Sequence, residues 1–376
     1  MALEIPKSIQ KALDRAAHPY HMWDGIESIP DHLLTLFEDS RLNSLQRVAE
    51  KLKNYPYLDI IGCGTSLFAA MLAGHAFAAY AGKRISAQNA FEYLAYPLPD
   101  LHKTVLIGVS HTGGTPVVVQ SVEMVNLAGG LGVGLTDVDQ SRLALTAKEV
   151  LSTGFGGEVA LPKTRSFMTT LLNLYLLAYF TGEGNEGQTG AALNNLRSLP
   201  ERIRTLTPGL DTSVQSVLSA LPLLRRVIVI GGGPQYPIAL EGSLKITESA
   251  LMDSAAWELE EAAHGTWAGT KAGDLVVILG MRGASLAKSV KLAQALRRIE
   301  AKVWVITNTP EAYTDYDYMT FLETGNLSEL YIPFLSVLPL YQFAYHYAIS
   351  LGINPDGMNM SDPNYLQARM QIRESF

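Results

Sequence analysis

Three apolar strand-like runs in the first half of the chain return in the second half at almost one spacing. YLDIIGCG (57–64) is echoed by RRVIVIGGG (225–233), TVLIGVSHTG by DLVVILGMRG (274–283), and GLGVGLTD (130–137) by AKVWVITN (301–308). Matching strand ends lie about 169, 171 and 171 residues apart. Such an offset marks a duplicated unit. Continuous apolar strands separated by helical segments mean a parallel sheet covered on both faces. The helical segments include LNSLQRVAEKLKN (42–54), SLFAAMLAGHAFAAYAG (66–82) and SFMTTLLNLYLLAYFTG (166–182). ISAQNA (85–90) and EVAL (158–161) read as further short strands, and the polar stretch 183–222 as linking helices. The fold class expected is α/β, with two tandem domains, each a parallel sheet flanked by helices. The boundaries expected are 1–40 for an N-terminal helical extension, 41–195 for the first domain and 196–376 for the second.

Composition supports two packed cores: 376 residues, 48% hydrophobic and 17% charged. A net charge of −7 without a basic run gives no reason to expect a nucleic-acid or anionic-membrane partner. The first twenty residues hold no apolar signal core. The lone cysteine, Cys63, excludes an internal disulfide framework and suits a reducing compartment, so a cytoplasmic location is expected. The segment 330–352 is apolar enough to resemble a membrane span. Pro333, Pro339, Gln342 and His346 make it a buried helix instead.

Ligands of open parallel sheets bind at the carboxyl ends of strands. Two polar loops fall there in the first half: Gly62-Cys63-Gly64-Thr65-Ser66 and Ser110-His111-Thr112-Gly113-Gly114-Thr115. Glycines admit an anion to the backbone, and hydroxyls and helix N-terminal amides donate to it. Neither a GK[ST] loop nor a GxGxxG spacing is present, so the anion expected is a phosphate without a nucleotide. The same pattern also suits ordinary tight βα turns. The second half keeps the strands and replaces these hydroxyl loops with GGGPQYP and GMRGAS.

The chain resembles the tandem sugar isomerase (SIS) family from about residue 57 onward, and most of all the isomerase module of glucosamine-6-phosphate synthase. The blocks that carry the resemblance are IIGCGTS, VSHTGGT, EVALPKTRSFMTTL, GGGPQYPIALEGSLKITE, AAHGTWA and LPLYQFAYHYAISLG. The resemblance implies phosphate-binding roles for Thr65, Ser66, Ser110, His111, Thr112 and Thr115. It places Gly64, Lys163 and Thr164 among other substrate-binding residues. It also implies that Glu248 moves a proton between sugar C1 and C2, and that His264, sixteen residues on, opens the sugar ring. An aldose–ketose shift needs such a carboxylate and a second acid–base group. Glu241, Glu258, Glu260 and Glu261 remain alternative carboxylates.

Three departures from the synthase stand out. A chain beginning Met1-Ala2-Leu3 offers no terminal cysteine to hydrolyse glutamine. No lysine follows Lys302 to form a Schiff base. Lys163 stands where the family has a serine, and an added cation there would suit a carboxylate or phosphate on the substrate. The function expected is therefore an aminosugar-phosphate deaminase/isomerase without cofactor or metal, acting as a homodimer with shared active sites. A deglycase of phosphorylated fructose–amino-acid adducts, a plain sugar-phosphate isomerase and a non-catalytic phosphosugar sensor are the other readings.

Overall fold

The computed structural model describes residues 5–182 and 189–374. The Met1-Ala2-Leu3 start and residues 183–188 of the polar middle stretch lie outside the described residues. The chain divides into two compact units. One comprises Ser28–Glu158, Lys163–Pro200 and Ala368–Phe376; the other comprises Met1–Glu27, Val159–Pro162 and Glu201–Gln367.

The first unit is built on a five-stranded parallel sheet: β1 (Tyr57–Gly62), β2 (Ser86–Asn89), β3 (Thr104–Val109), β4 (Leu131–Thr136) and β5 (Glu149–Ser152). The strand order is β2-β1-β3-β4-β5. Every residue of β3 and β4 is buried, as expected of strands covered on both faces. One face is covered by α1 (Asp39–Leu52), α2 (Thr65–Ala81) and α4 (Arg165–Thr181), the other by α3 (Pro116–Leu127) and shorter helices.

The second unit repeats the plan with β6 (Arg226–Gly231), β7 (Ser254–Glu258), β8 (Asp274–Leu279), β9 (Lys302–Thr307) and β10 (Tyr318–Phe321), in the order β10-β9-β8-β6-β7. Read from the other edge, this is the same order as in the first sheet. On one face lie α6 (Gln235–Ala250) and α9 (Leu338–Ser350), on the other α7 (Leu259–His264) and α8 (Leu286–Arg298). The described part of the polar middle stretch is one long helix, α5 (Thr189–Ala220).

The apolar 330–352 segment is a buried helical region. Among the described residues, no helix is long and apolar enough to cross a membrane.

The edge strands correct the sequence reading. EVAL (158–161) is not a strand. The edge partner of β4 is β5, and residues 159–161 form bends, with the Glu158 side chain turned back onto α4. The stretch between Glu248 and His264 also contains a strand, β7, paired in parallel with β6.

Candidate active site

The order β2-β1-β3-β4-β5 reverses direction between β1 and β3, and at such a point the two outgoing loops diverge and leave a crevice. Both hydroxyl loops leave from this point. Gly62 ends β1 because a Cβ there would lie 2.7 Å from Cβ of Ser66, so α2 starts hard against the strand. Gly64 follows with φ +53°, a conformation that favours glycine, and no side chain caps α2. Thr65 and Ser66 are half-buried at its first turn, and Cys63 beside them is exposed. In the second loop, Gly113 has φ +61°, and a Cβ there would fall 2.0 Å from Ser141 Oγ. This close approach fixes the loop so that the Ser110 and Thr115 hydroxyls meet at 2.8 Å. Thr112 is exposed, and its hydroxyl accepts from the Gly114 amide at 3.4 Å. Thr115 precedes α3 without capping it by its side chain. The crevice is thus bordered by two helix N-termini and paired hydroxyls, a donor set suited to a phosphate.

His111, Lys163 and Thr164 have partners inside the protein. His111 Nδ1 lies 2.7 Å from Asp137 Oδ2, and Nε2 accepts from the Glu158 amide at 3.1 Å. The Glu158 carboxylate caps α4: it accepts from the amides of Thr164, Arg165 and Ser166 at 3.0, 3.1 and 3.1 Å, and from the Thr164 hydroxyl at 2.9 Å. Burial pushes its carboxyl pKa up. Lys163, His111, the Ser166 hydroxyl and Arg165 outweigh burial and hold it at about 2. Lys163 Nζ donates to the Glu158 carbonyl at 3.0 Å. Asp137 and Glu158 were not singled out from the sequence; the one available signal was an acidic residue just ahead of the Thr164 helix start.

The second unit holds the carboxylate chemistry. Glu248 lies in the last turn of α6, half-buried and ion-paired to Lys245. Lys245 is 1% exposed and also lies 3.8 Å from the fully buried Glu241, which accepts from the Tyr341 hydroxyl at 3.1 Å. One buried cation thus serves two carboxylates of one helix, and only Glu248 retains access to solvent. The spacing of Lys245, four after Glu241 and three before Glu248, was the sequence signal for this cluster. Among the other acidic candidates, Glu258 caps α7, accepting from the Glu260 and Glu261 amides at 2.6 and 3.1 Å, and Glu260 pairs with Lys288. His264 is the last residue of α7 and is exposed, and its side chain has no hydrogen-bond partner among the described residues.

Comparison with known proteins settles the family. A model of the SIS domain matches residues 51–179 and 224–346, one stretch on each sheet. The chain belongs to the SIS domain family. A curated SIS relative, the glutamine–fructose-6-phosphate aminotransferase [isomerizing] of Thermosynechococcus vestitus, is 27% identical over 317 residues, covering 81% of this chain and 51% of that protein. This chain spans about half the length of the curated relatives it matches. Among solved structures, the C-terminal domain of glucosamine-fructose-6-phosphate aminotransferase from Francisella tularensis superposes with a TM-score of 0.81 at 20% identity, covering 90% of this chain and 99% of that one. Glucosamine-6-phosphate deaminase from Thermotoga maritima gives a TM-score of 0.71 at 24% identity, covering 89% and 96%. At these identities the superpositions speak for the SIS fold alone.

Proposed function

We propose that the chain is a sugar-phosphate isomerase-type enzyme acting on an aminosugar phosphate, interconverting glucosamine 6-phosphate and water with fructose 6-phosphate and ammonia. The observation that carries this reading is the paired Ser110 and Thr115 hydroxyls between two uncapped helix starts, in a chain that also presents a half-buried carboxylate, Glu248, on a buried lysine. In this scheme the first unit's loops grip the phosphate. His264 assists ring opening. Glu248 takes the C2 proton of the open-chain aminoaldose and returns it to C1, which leaves a C2 imine. Water adds to that imine, ammonia leaves, and the ketose phosphate remains. The names of the aminotransferase and deaminase relatives are in keeping with this substrate class.

The deglycase reading drew on Lys163 as an extra cation for a substrate carboxylate. With its ammonium on the Glu158 carbonyl, Lys163 gives that reading less support. We take the working form to be a homodimer in which His264, exposed and with no hydrogen-bond partner for its side chain among the described residues, serves the partner's site. A protein that is monomeric by light scattering and still active would refute the dimer. Incubation with glucosamine 6-phosphate should release ammonia and fructose 6-phosphate in equal amounts. Release of free amino acid from a fructose-lysine 6-phosphate, with no ammonia from glucosamine 6-phosphate, would favour the deglycase, and turnover of neither would sink the proposal.

A further inference from the structure

We infer that His111 is a positioning residue: its imidazole ties the 110–115 loop to Asp137 and to the capped start of α4, and it does not itself touch the ligand. This rests on the reading of that loop as a phosphate grip. Four observations carry it. The imidazole is nearly enclosed, with 11% of its side chain exposed. Its Nδ1 faces Asp137 Oδ2 at 2.7 Å, and Asp137 is held in turn by the Thr153 hydroxyl at 2.5 Å. Its Nε2 accepts from the Glu158 amide at 3.1 Å and lies 3.3 Å from the Ser166 hydroxyl. An accepting Nε2 assigns the ring proton to Nδ1, which is buried against the carboxylate in a close contact not aligned as a hydrogen bond, so neither nitrogen is open to a phosphate.

The fourth observation is where the tie attaches. The His111 carbonyl accepts from the Asp137 amide at 3.0 Å and from the Thr136 hydroxyl at 3.2 Å. Two residues on, the Gly113 carbonyl accepts from the Leu143 amide at 2.9 Å. The Ser110 amide also donates to the Leu135 carbonyl at 3.0 Å, so the loop hangs at three backbone points, with the imidazole as a fourth. A short loop with two adjacent glycines loses much conformational freedom when it orders on a ligand. Holding it in its binding shape beforehand removes that cost from binding. Ser110 directly precedes His111 and Thr115 closes the same short loop, so the tie acts on the segment that carries both hydroxyls.

The test uses the full chain and the variants His111→Ala, His111→Asn and Asp137→Ala, with His111→Ala/Asp137→Ala as the double. The readouts are amide exchange of 110–115 in the ligand-free protein, the Kd for inorganic phosphate and for glucosamine 6-phosphate by calorimetry, and KM and kcat. His111→Ala should speed exchange in the loop and raise Kd for phosphate about tenfold, with KM rising more than kcat falls. Asp137→Ala should act in the same direction. The effect of the double variant on loop exchange and phosphate Kd should fall short of the sum of the two singles, because both changes break the same His111–Asp137 contact. His111→Asn keeps a donor near the Nδ1 position and should fall between wild type and His111→Ala, which preserves the test where alanine prevents folding.

Weaker phosphate binding in His111→Ala, with unchanged loop exchange and no effect of Asp137→Ala, would mean that the ring contacts ligand and would overturn the inference. A lower melting temperature with unchanged loop exchange and Kd would overturn it as well. If wild-type protein binds neither phosphate nor glucosamine 6-phosphate, the functional reading fails, and exchange of the ligand-free loop still decides the tie.

Discussion

The two sheets share one strand order and differ at the point where that order reverses. In the first, β1 and β3 lead into hydroxyl-bearing loops. In the second, β6 and β8 lead into loops with few hydroxyls. Gly231 repeats the part played by Gly62, since a Cβ there would meet the Gln235 carbonyl at 2.2 Å. The Gln235 side chain is fully buried and accepts from Ser336 Oγ at 2.7 Å. At Gly283, φ is +147° and a Cβ would lie 2.4 Å from the Glu329 carboxylate, whose pKa is raised by burial. A carboxylate against that loop disfavours a phosphate there. The close helix–strand approach is common to both crevices, whereas the ligand chemistry sits in a handful of loop side chains. The scaffold therefore does not decide which crevice is the grip.

The largest effect should come from separating grip from proton transfer. Glu248→Gln keeps the shape and removes the base. It should lower kcat by ~10²–10⁴ and abolish exchange of the sugar C2 proton with deuterated water, while phosphate affinity holds. A variant with near-normal turnover would break the assignment. Next, Ser110→Ala with Thr115→Ala should raise the Kd for sugar phosphate about 100-fold, since each lost donor to a charged acceptor matters. The matched change in the other crevice, Ser285→Ala, should leave that Kd within about twofold. Equal effects in calorimetry would erase the distinction between the crevices. His264→Asn should slow ring-closed substrate about tenfold and spare open-chain substrate, less than a full acid–base group because rings also open unaided in water.

The smallest effect concerns stability of the first unit alone. Asp59 of β1 is 5% exposed, and burial raises its carboxyl pKa, although the Tyr93 hydroxyl donates to it at 3.1 Å. A carboxyl whose folded pKa lies above its unfolded one binds its proton more tightly when folded. Its protonated form favours the fold at low pH, and that contribution is lost as pH rises from the ordinary carboxyl value through the raised one. Asp59→Asn removes the loss and still accepts from Tyr93. Its melting temperature relative to wild type should therefore be higher at pH 8 than at pH 4, by a few degrees. A difference that does not change with pH would contradict this.

The central strands were legible because they are buried on both faces and read as unbroken apolar runs that end in glycine or a polar residue. The edges were harder. β5, β7 and β10 are four or five residues long and mostly half-buried, so neither an apolar run nor a clean alternation announces them. Glu158-Val159-Ala160-Leu161 does carry a strand-like pattern, but the Glu158 carboxylate is drawn to the α4 amides instead. The loop hydroxyls and the Glu248/His264 pair came from local blocks that a resemblance can match residue by residue. The His111–Asp137–Glu158 tie joins residues 26 and 47 positions apart, and no local pattern encodes such a meeting. Lys245 sat in plain view at helical spacing from both carboxylates, but only burial shows it to be their shared counter-ion.

One helix has no wet side. Every residue of α4 from Ser166 to Thr181 is buried. An ordinary surface helix can drift on its outer face while its inner face is held. Here there is no outer face to drift. Each substitution along these positions must keep volume and polarity together, or it leaves a void or strands a polar group. The exposed side chains of the crevice loops, such as Thr112, can therefore change at little packing cost, whereas a change anywhere along this rod is felt by the whole core of its unit.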